Sequence, residues 1–223
     1  MGPPVDVGAG DPVLVAAVVL AGGAGRRMGG ADKAGLLVGG VTLLDRVLHA
    51  AAGVAGRLIV VGPPRVIAGG RAVIFVQEDT PGGGPVPAVA AALDATGDAS
   101  VVLLLAVDLP LLSTADLSRL VARLIVAPAE PPTGAVAAAD PSGRPNPLLA
   151  AYRASALRKT VTDIAGPGSA AGARGGAGWP AARLLPDGVT VVDLGGDATL
   201  NVNTPADLAE ARGRVPQGPD GAC

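Results

Sequence analysis

Short, continuous apolar runs alternate along the chain with longer stretches whose apolar residues recur at helical spacing. Four runs have the pattern of strands buried on both faces of a parallel sheet: Leu14–Leu20, Arg57–Val61, Ala72–Val76 and Val101–Val107. Weaker strands are predicted at Ala135–Ala139, Leu148–Tyr152 and Val189–Leu194. Helices are predicted at Leu43–Val54, Pro87–Ala95, Ala115–Ile125, Ser155–Asp163 and Pro205–Arg212. This alternation predicts an α/β fold, a three-layer α/β/α sandwich around a Rossmann-like, mostly parallel sheet.

The ends of the chain differ in composition from its middle. Residues 1–11 and 214–223 are rich in Gly, Pro and Asp and are predicted to be a flexible N-terminus and a flexible tail. Residues 12–213 are predicted to form a single domain. Within it, residues 165–178 are the one low-complexity segment, which we interpret as a flexible Gly-rich loop, with a mobile lid over a substrate as the alternative.

Composition narrows the class of protein. Of 223 residues, 34 are Gly and 21 are Pro, but 49% are hydrophobic and only 16% charged, which excludes a disordered chain. A net charge of −2 gives no electrostatic footprint for nucleic acid or for an anionic membrane surface. The apolar run Val13–Ala24 is too short to span a bilayer, and the single cysteine, Cys223, has no partner for a disulfide. We therefore expect a cytoplasmic protein.

The segment after the first strand carries the clearest candidate chemistry. Its sequence, from Ala21 to Lys33, is AGGAGRRMGGADK. Glycines bring bare N–H groups against a phosphate chain, while Arg26, Arg27 and Lys33 supply charge suited to a triphosphate. Composition alone leaves open a glycine-rich turn with solvated arginines. The segment matches neither the P-loop, because Asp32 and Ala34 flank Lys33, nor the dinucleotide fingerprint, because Met28 stands at the third glycine.

Two aspartates near the predicted strand ends suggest a metal site. Asp108 directly follows the most hydrophobic strand, and Asp79 follows the third. Ligands of open α/β sheets bind outside the carboxyl ends of the strands. Two carboxylates in that crevice suit Mg²⁺, which prefers oxygen ligands and substrate phosphates. The alternatives are that Asp108 caps the turn before Pro110 and that Asp79 belongs to an ordinary turn.

These motifs resemble those of the molybdenum cofactor guanylyltransferases, nucleotidyltransferases of the glycosyltransferase-A type that share the nucleotide-diphospho-sugar transferase fold. The family signature L-A-G-G-x-S-x-R-M-G…D-K is similar to the stretch from Leu20 to Lys33. Later family segments, D…G-P-L-A-G, D-x-P and N-V-N-T-P, are similar to residues 78–85, 107–110 and 200–205. The motifs follow the family's order and cover residues 14–210.

The resemblance implies a Mg²⁺-dependent transfer of GMP from GTP to molybdopterin, with release of pyrophosphate. GTP and molybdopterin would be the partners, with transient contacts to other molybdenum cofactor enzymes. Arg27, Lys33 and Asp108 would be catalytic, and Asp108 would also ligate the metal. Nucleotide contacts would come from Leu20, Ala21, Gly22, Gly23, Lys33, Asp79 and Asp108. The acceptor would be bound by Arg144, Asn201 and Asn203. The alternatives are that Arg144 is a solvated loop arginine and that the two asparagines are turn and cap residues.

The chain departs from the family pattern at three places that concern nucleotide recognition. Gly25 replaces the usual Ser, Gly62 lies where a polar residue is common, and residues 85–88 read PVPA in place of P-L-A-G. A related transferase that uses CTP, or an acceptor such as phospholactate or a sugar phosphate, therefore stays an alternative. A non-catalytic nucleotide-binding partner protein is a second alternative, against which the retention of Lys33, Asp79 and Asp108 argues.

Overall fold

A seven-stranded sheet forms the centre of the protein. We describe it from a computed structural model, which covers residues 13–22, 32–78, 82–127, 133–165 and 178–215. The strands are β1 Val15–Leu20, β2 Leu37–Val38, β3 Val41–Thr42, β4 Arg57–Val61, β5 Ile74–Val76, β6 Val101–Ala106, β7 Ala135–Ala139, β8 Pro145–Arg153 and β9 Thr190–Val192. The helices are α1 Leu43–Ala52, α2 Pro85–Ala92, α3 Thr114–Ile125, α4 Ala154–Ala165 and α5 Pro205–Arg214.

The strand order places the ends of the most buried strands side by side. The order is β5-β4-β1-β6-β8-β7-β9, and β2 and β3 form a separate hairpin. β5, β4, β1 and β6 run parallel, β8 runs antiparallel to β6 and β7, and β9 runs parallel to β7. We call the edge at which β1, β4, β5 and β6 end the carboxyl edge. Because β8 is reversed, its first residue, Pro145, also lies at this edge, beside the end of β7.

Helices cover both faces of the sheet, which confirms the predicted α/β/α sandwich. Alternate residues of β1 point to opposite faces. Ala17 and Val19 join a cluster that includes the buried side chains of α1, α3 and α5. Ala16, Val18 and Leu20 join a second cluster, with those of α2 and α4. All six residues of β1 are buried, as expected for a strand enclosed on both sides.

The helix starts follow from local capping residues. Ser113 and Asp116 form a reciprocal capping box at α3, in which Ser113 is the N-cap residue. Thr204 and Asp207 form a second capping box at α5, with Pro205 at the first helical position. These caps supply partners for N–H groups that have none within the helix.

Several element boundaries differ from the sequence prediction. β5 begins two residues later than predicted, and β9 spans three residues in place of six. α2 begins at Pro85, since Gly84 has a φ of 101° that ends the preceding loop and proline suits the first helical position. α5 continues through Arg214, two residues beyond its predicted end. The β2–β3 hairpin was not predicted, because two-residue strands show no periodicity.

Parts of the predicted domain map fall outside the described residues. These parts are residues 1–12, 166–177 and 216–223, which include nearly all of the predicted N-terminus, Gly-rich loop and tail. Within the ranges that the structure covers, no helix is both long and apolar enough to cross a membrane.

Candidate functional site

The chain leaves the sheet at the carboxyl end of β1 through Leu20, Ala21 and Gly22. The Ala21 N–H donates to the carbonyl of Val61 at the end of β4, over 3.0 Å. On the other side, the carbonyl of Leu20 accepts from the N–H of Val107 over 3.2 Å. Leu20 and Ala21 are buried, and Gly22 is exposed. Neighbouring strands thus hold the start of the predicted phosphate loop from both sides.

Two glycines at this edge are there for different reasons. Gly62, after β4, has a φ of 154°, and a Cβ on it would lie 3.4–3.5 Å from atoms of Ala21 and Gly22. Its conformation therefore favours glycine, whereas the contacts that a Cβ would make are ordinary ones. Gly22 has no positive φ, and a Cβ on it would lie 3.8 Å from the Val61 carbonyl, an ordinary contact. Among the described residues, nothing in the packing requires glycine at position 22, so a close approach of a ligand is a separate reason for glycine there.

Lys33 brings together three of the predicted site residues. Its Nζ donates to Oδ2 of Asp108 over 2.8 Å and to Oδ1 of Asn203 over 2.8 Å. The side chains of Lys33 and Asp108 are 21% and 18% exposed. We call these three residues the Lys33 cluster. It joins the end of the predicted phosphate loop, the end of β6 and the segment that precedes α5.

Asp108 is held at the end of β6 and has an oxygen suited to a cation. Its backbone carbonyl accepts from the N–H of Val202 over 2.9 Å. Its Oδ2 accepts from Lys33, while its buried Oδ1 has no hydrogen-bond partner within the described part of the chain. The side chain thus does not cap the turn before Pro110, the alternative considered from the sequence. An unpaired, buried carboxylate oxygen is costly unless it gains a partner, and a metal ion is one that would fit.

The surroundings of Asp108 determine which kind of metal site is possible. Among the residues that the structure describes, no group of three or more His, Cys, Asp and Glu could enclose an ion. Mg²⁺ is commonly held by one or two carboxylates, with substrate phosphates completing its coordination. The residues present therefore fit a metal that arrives with a nucleotide, and they do not form an enclosed site.

The segment from Thr199 to Thr204 is fixed by its own hydrogen bonds. Asn201 donates from Nδ2 to the carbonyl of Thr199 over 3.1 Å. The N–H groups of Asn203 and Thr204 both donate to Oδ2 of Asp207, each over 2.8 Å. These donors, the Asn203 N–H first among them, lower the pKa of the Asp207 carboxyl below its usual value. Asn203, which was predicted to bind the acceptor substrate, therefore contacts Lys33 with its side chain and α5 with its backbone.

Arg144 lies in the exposed turn between β7 and β8, at the carboxyl edge. Its Nε donates to Oδ2 of Asp140 over 3.3 Å, within the same turn. The hydroxyl of Ser142 and the N–H of Arg144 lower the pKa of Asp140 to about 2. Close by, the pairing of β7 with β8 shifts between Ala137 and Ala138. The structure thus places Arg144 at the same edge as the Lys33 cluster, but its described contacts are those of its own turn.

An ion pair beside Lys33 was missed in the sequence analysis. Nη1 of Arg65 donates to Oδ2 of Asp32 over 2.7 Å. Asp32 directly precedes Lys33, and Arg65 lies in the segment that follows β4. The position of Arg65 after a buried strand was a usable signal, because such residues meet at the carboxyl edge. Asp207 was missed as well, since its link to Asn203 depends on the capping geometry.

The segment after β5 contacts the described end of the predicted Gly-rich loop. The N–H of Gly178 donates to the carbonyl of Gly83 over 2.8 Å, just before α2 begins. The guanidinium of Arg183 lies 4.1 Å from the centroid of the Trp179 ring. Three predicted site residues, Gly23, Arg27 and Asp79, lie outside the described residues.

Comparisons with known proteins agree with this architecture. A profile of the MobA-like NTP transferase domain matches residues 17–177. A molybdenum cofactor guanylyltransferase of Acidiphilium cryptum is 36% identical over 205 residues, 87% of this chain and 92% of the relative. A protein of the same name from Rhodopseudomonas palustris is 31% identical over 230 residues, 94% of this chain and 96% of the relative.

Solved structures share the fold at lower identity. The molybdopterin-guanine dinucleotide biosynthesis protein A of Archaeoglobus fulgidus superposes with a TM-score of 0.62 at 22% identity, covering 89% of this chain and 97% of that protein. The 2-C-methyl-D-erythritol 4-phosphate cytidylyltransferase of Thermus thermophilus gives a TM-score of 0.61 at 22% identity, covering 90% and 98%. The chain therefore belongs to the MobA-like NTP transferase family and is a nucleotidyltransferase.

Proposed function

We propose that this protein transfers GMP from GTP to the terminal phosphate of molybdopterin, forming the guanine dinucleotide cofactor and releasing pyrophosphate. The observation that carries the proposal is the Lys33 cluster, in which a cation meets a carboxylate at the carboxyl edge, and one buried oxygen of that carboxylate has no partner among the described residues. Both curated relatives, similar over most of the chain, are molybdenum cofactor guanylyltransferases.

The reaction asks for alignment and charge neutralisation. An oxygen of the acceptor phosphate forms a bond to the α-phosphorus of GTP, while the bond from that phosphorus to the pyrophosphate oxygen breaks. The attacking phosphate is already anionic, so no side chain has to remove a proton from it. Lys33 neutralises negative charge on the triphosphate, and fixed positive charge of this kind is a principal means of stabilising such a transition state.

Nucleotidyltransferases of this type typically use a divalent metal ion, and we propose Mg²⁺ with Asp108 as its protein ligand. When bound, the ion supplies charge stabilisation at the phosphates. Within the chain, the free Oδ1 of Asp108 supports this assignment, because it is buried and faces no other described partner. Lys33, on Oδ2, keeps the carboxylate oriented.

The nucleotide is proposed to bind along the carboxyl ends of β1 and β4. Backbone groups of Leu20, Ala21 and Gly22 would contact it. The support for this is that Gly22 is exposed and that its packing against the described residues does not require glycine. Gly23, Arg27 and Asp79 are assigned to nucleotide binding, and Arg27 also to catalysis, on their sequence positions alone.

The acceptor is proposed to bind over β6, β8 and β7, on the other side of Asp108. Arg144 supports this assignment, because it is an exposed cation at the carboxyl edge of that half of the sheet. Asn201, in the segment that ends at the Lys33 cluster, is the second proposed acceptor contact. Asn203, the third residue predicted to bind the acceptor, already accepts a hydrogen bond from Lys33 with its side-chain oxygen.

A CTP-dependent transferase is the second candidate function. The observation that favours it is the departure at residues 85–88, which form the start of α2 beside the Gly178–Gly83 contact. The fold does not discriminate between the bases, because the cytidylyltransferase of Thermus thermophilus superposes as well as the molybdopterin-guanine dinucleotide protein does.

The decisive experiment measures pyrophosphate release with each nucleoside triphosphate, with and without molybdopterin, in the presence of Mg²⁺. The proposal predicts release only when GTP and molybdopterin are both supplied. A parallel thermal-shift panel with GTP, CTP, ATP and UTP tests the base, since a ligand at about 100 times its dissociation constant stabilises the fold by about 2.7 kcal/mol. Equal turnover with CTP would refute the guanine assignment, and no release when GTP and molybdopterin are supplied together would refute molybdopterin as the acceptor.

A further inference from the structure

Within the described part of the chain, the Lys33 ammonium has two acceptors of different charge. Asp108 provides a carboxylate oxygen and Asn203 a neutral amide oxygen, each at 2.8 Å. A lysine side chain has a long, flexible stem, and a single partner fixes the distance of its ammonium group but not its direction. The second acceptor, 170 residues away in sequence, restricts the ammonium to one position at the carboxyl edge.

The neutral character of the second acceptor suits a site for an anionic ligand. Lys33 and Asp108 together carry no net charge, and the amide of Asn203 leaves that balance unchanged. An aspartate at position 203 would make the cluster net negative and would repel a triphosphate. Asparagine therefore directs the ammonium without competing, through a charge of its own, with the phosphates that Lys33 has to neutralise.

The backbone of Asn203 is fixed on both sides. On one side, the N–H groups of Asn203 and Thr204 donate to Asp207, whose carboxylate also completes the cap of α5. On the other side, Val202 is fully buried and donates to the backbone carbonyl of Asp108 over 2.9 Å. Asn203 is thus a rigid support between the first turn of α5 and the metal-binding aspartate proposed above.

We propose that Asn203 is a positioning residue that holds the Lys33 ammonium at the nucleotide site, and that Asp207 holds Asn203 in place. This inference rests on the proposed function for the role of Lys33, but the contact itself does not depend on which nucleotide or acceptor is used. With this role for Asn203, the segment before α5 contributes to binding the triphosphate as well as to the proposed binding of molybdopterin.

The lysine content of the chain allows a direct test. Lys33 and Lys159 are its only lysines, so protein labelled with ¹⁵N at the lysine side chains gives two ammonium signals. Lys159 is an internal reference, because it is exposed and pairs with Asp163 one helical turn away. In Asn203→Ala, we expect the Lys33 signal to shift and its protons to exchange with water at least several-fold faster, while the Lys159 signal stays in place.

Two further variants separate positioning from loss of the fold. Asp207→Ala leaves the Asn203 side chain intact and should move the Lys33 signal in the same direction, to a smaller extent. Asn203→Asp keeps an acceptor oxygen and should keep the slow exchange. A Lys33 signal that is identical in wild type and Asn203→Ala, in protein with an unchanged melting temperature, would overturn the proposal, whether or not the protein transfers GMP.

The kinetic test uses a double-mutant cycle between Lys33 and Asn203. With GTP and molybdopterin, Asn203→Ala should lower kcat about tenfold and leave the KM for the acceptor unchanged. In a Lys33→Met background, the same substitution should have no further effect, because the residue acts through the lysine. A raised KM for molybdopterin, or an equal loss in the Lys33→Met background, would instead make Asn203 an acceptor contact and refute the positioning role.

Discussion

Removing the charge of Asp108 separates its structural contribution from its proposed chemical one. Asp108→Ala deletes the partner of Lys33 at 2.8 Å, in a pair whose side chains are about four-fifths buried. Exposed pairs contribute at most about 1 kcal/mol, and breaking a fully buried pair costs about 3–5 kcal/mol. For this intermediate burial we expect a loss of about 2 kcal/mol in the free energy of unfolding, or about 4–8 °C in melting temperature for a chain of this size.

Lys33→Met should cost at least as much, because it leaves neither Asp108 oxygen with a partner among the described residues. The double variant removes both charges, so its cost should be smaller than the sum of the two single costs by about 1–3 kcal/mol. Transfer activity should behave differently: each single variant should lose about 10²-fold or more in kcat/KM, and the double variant should recover none of it. Asp108→Asn keeps an acceptor for Lys33 and should preserve most of the stability, yet it should lose activity to the same degree.

Thermal unfolding and pyrophosphate release measure the two effects on the same protein samples. The matched control is Lys159→Met, which removes the other lysine from an exposed pair with Asp163 and should change neither quantity. Strictly additive stability losses at Lys33 and Asp108 would show that their contact contributes nothing to folding. Wild-type turnover by Asp108→Asn would remove the carboxylate from the mechanism.

Three further predictions concern two glycines at the carboxyl edge, Asp207 beside the Lys33 cluster, and Tyr152 in the second buried cluster of the fold. Gly22→Ala should leave the free energy of unfolding unchanged or raise it by about 0.5 kcal/mol, while it raises the KM for the nucleotide. Gly62→Ala, at a φ of 154°, should lower the free energy of unfolding by at least about 1 kcal/mol. A loss of stability in Gly22→Ala would contradict this prediction. The pKa of Asp207 is lowered in the folded protein, so its contribution is present above the ordinary aspartate pKa of about 4 and is lost as pH falls through the folded value. Acid titration of the melting temperature should show this loss below about pH 4, and Asp207→Asn should reduce it. Tyr152→Phe removes a 2.9 Å hydrogen bond to the Pro147 carbonyl and should cost about 1 kcal/mol, equally at pH 6 and pH 9, because burial raises the pKa of the tyrosine hydroxyl and keeps it protonated.

The sequence was sufficient to predict the sheet wherever burial on both faces determined the composition. The limits of β4 and β7 coincide with their apolar runs, Arg57–Val61 and Ala135–Ala139. The direction of β8 was not predicted, because a buried strand has the same hydrophobic pattern whether it runs parallel or antiparallel to its neighbours. The early start of β8 at Pro145 was missed as well, since prolines and asparagine interrupt that stretch.

For the candidate site, individual residues could be predicted from the sequence, but the contacts between them could not. Lys33 and Asp108 were predicted because charged residues at strand ends and in glycine-rich loops stand out against an aliphatic chain. Their 2.8 Å contact was not predictable, because it depends on how segments 75 residues apart fold onto one sheet edge. The acceptor role predicted for Asn203 overlooked its bond to Lys33 for the same reason.

The segment before α5 links the C-terminal helix to the Lys33 cluster. The segment before α5 reaches Asp108 through the Val202 N–H, and it reaches Lys33 through the Asn203 side chain. These contacts are supported by Leu208 and Ala211, which bury α5 against the cluster that also contains the apolar residues of α1 and α3. Without α5, both Asn203 and the backbone of Asp108 would lose their supports, while β1, β4 and β6 could still pair. The Lys33 cluster therefore depends on the docking of the C-terminal helix, because two of its contacts come from the segment that this helix holds in place.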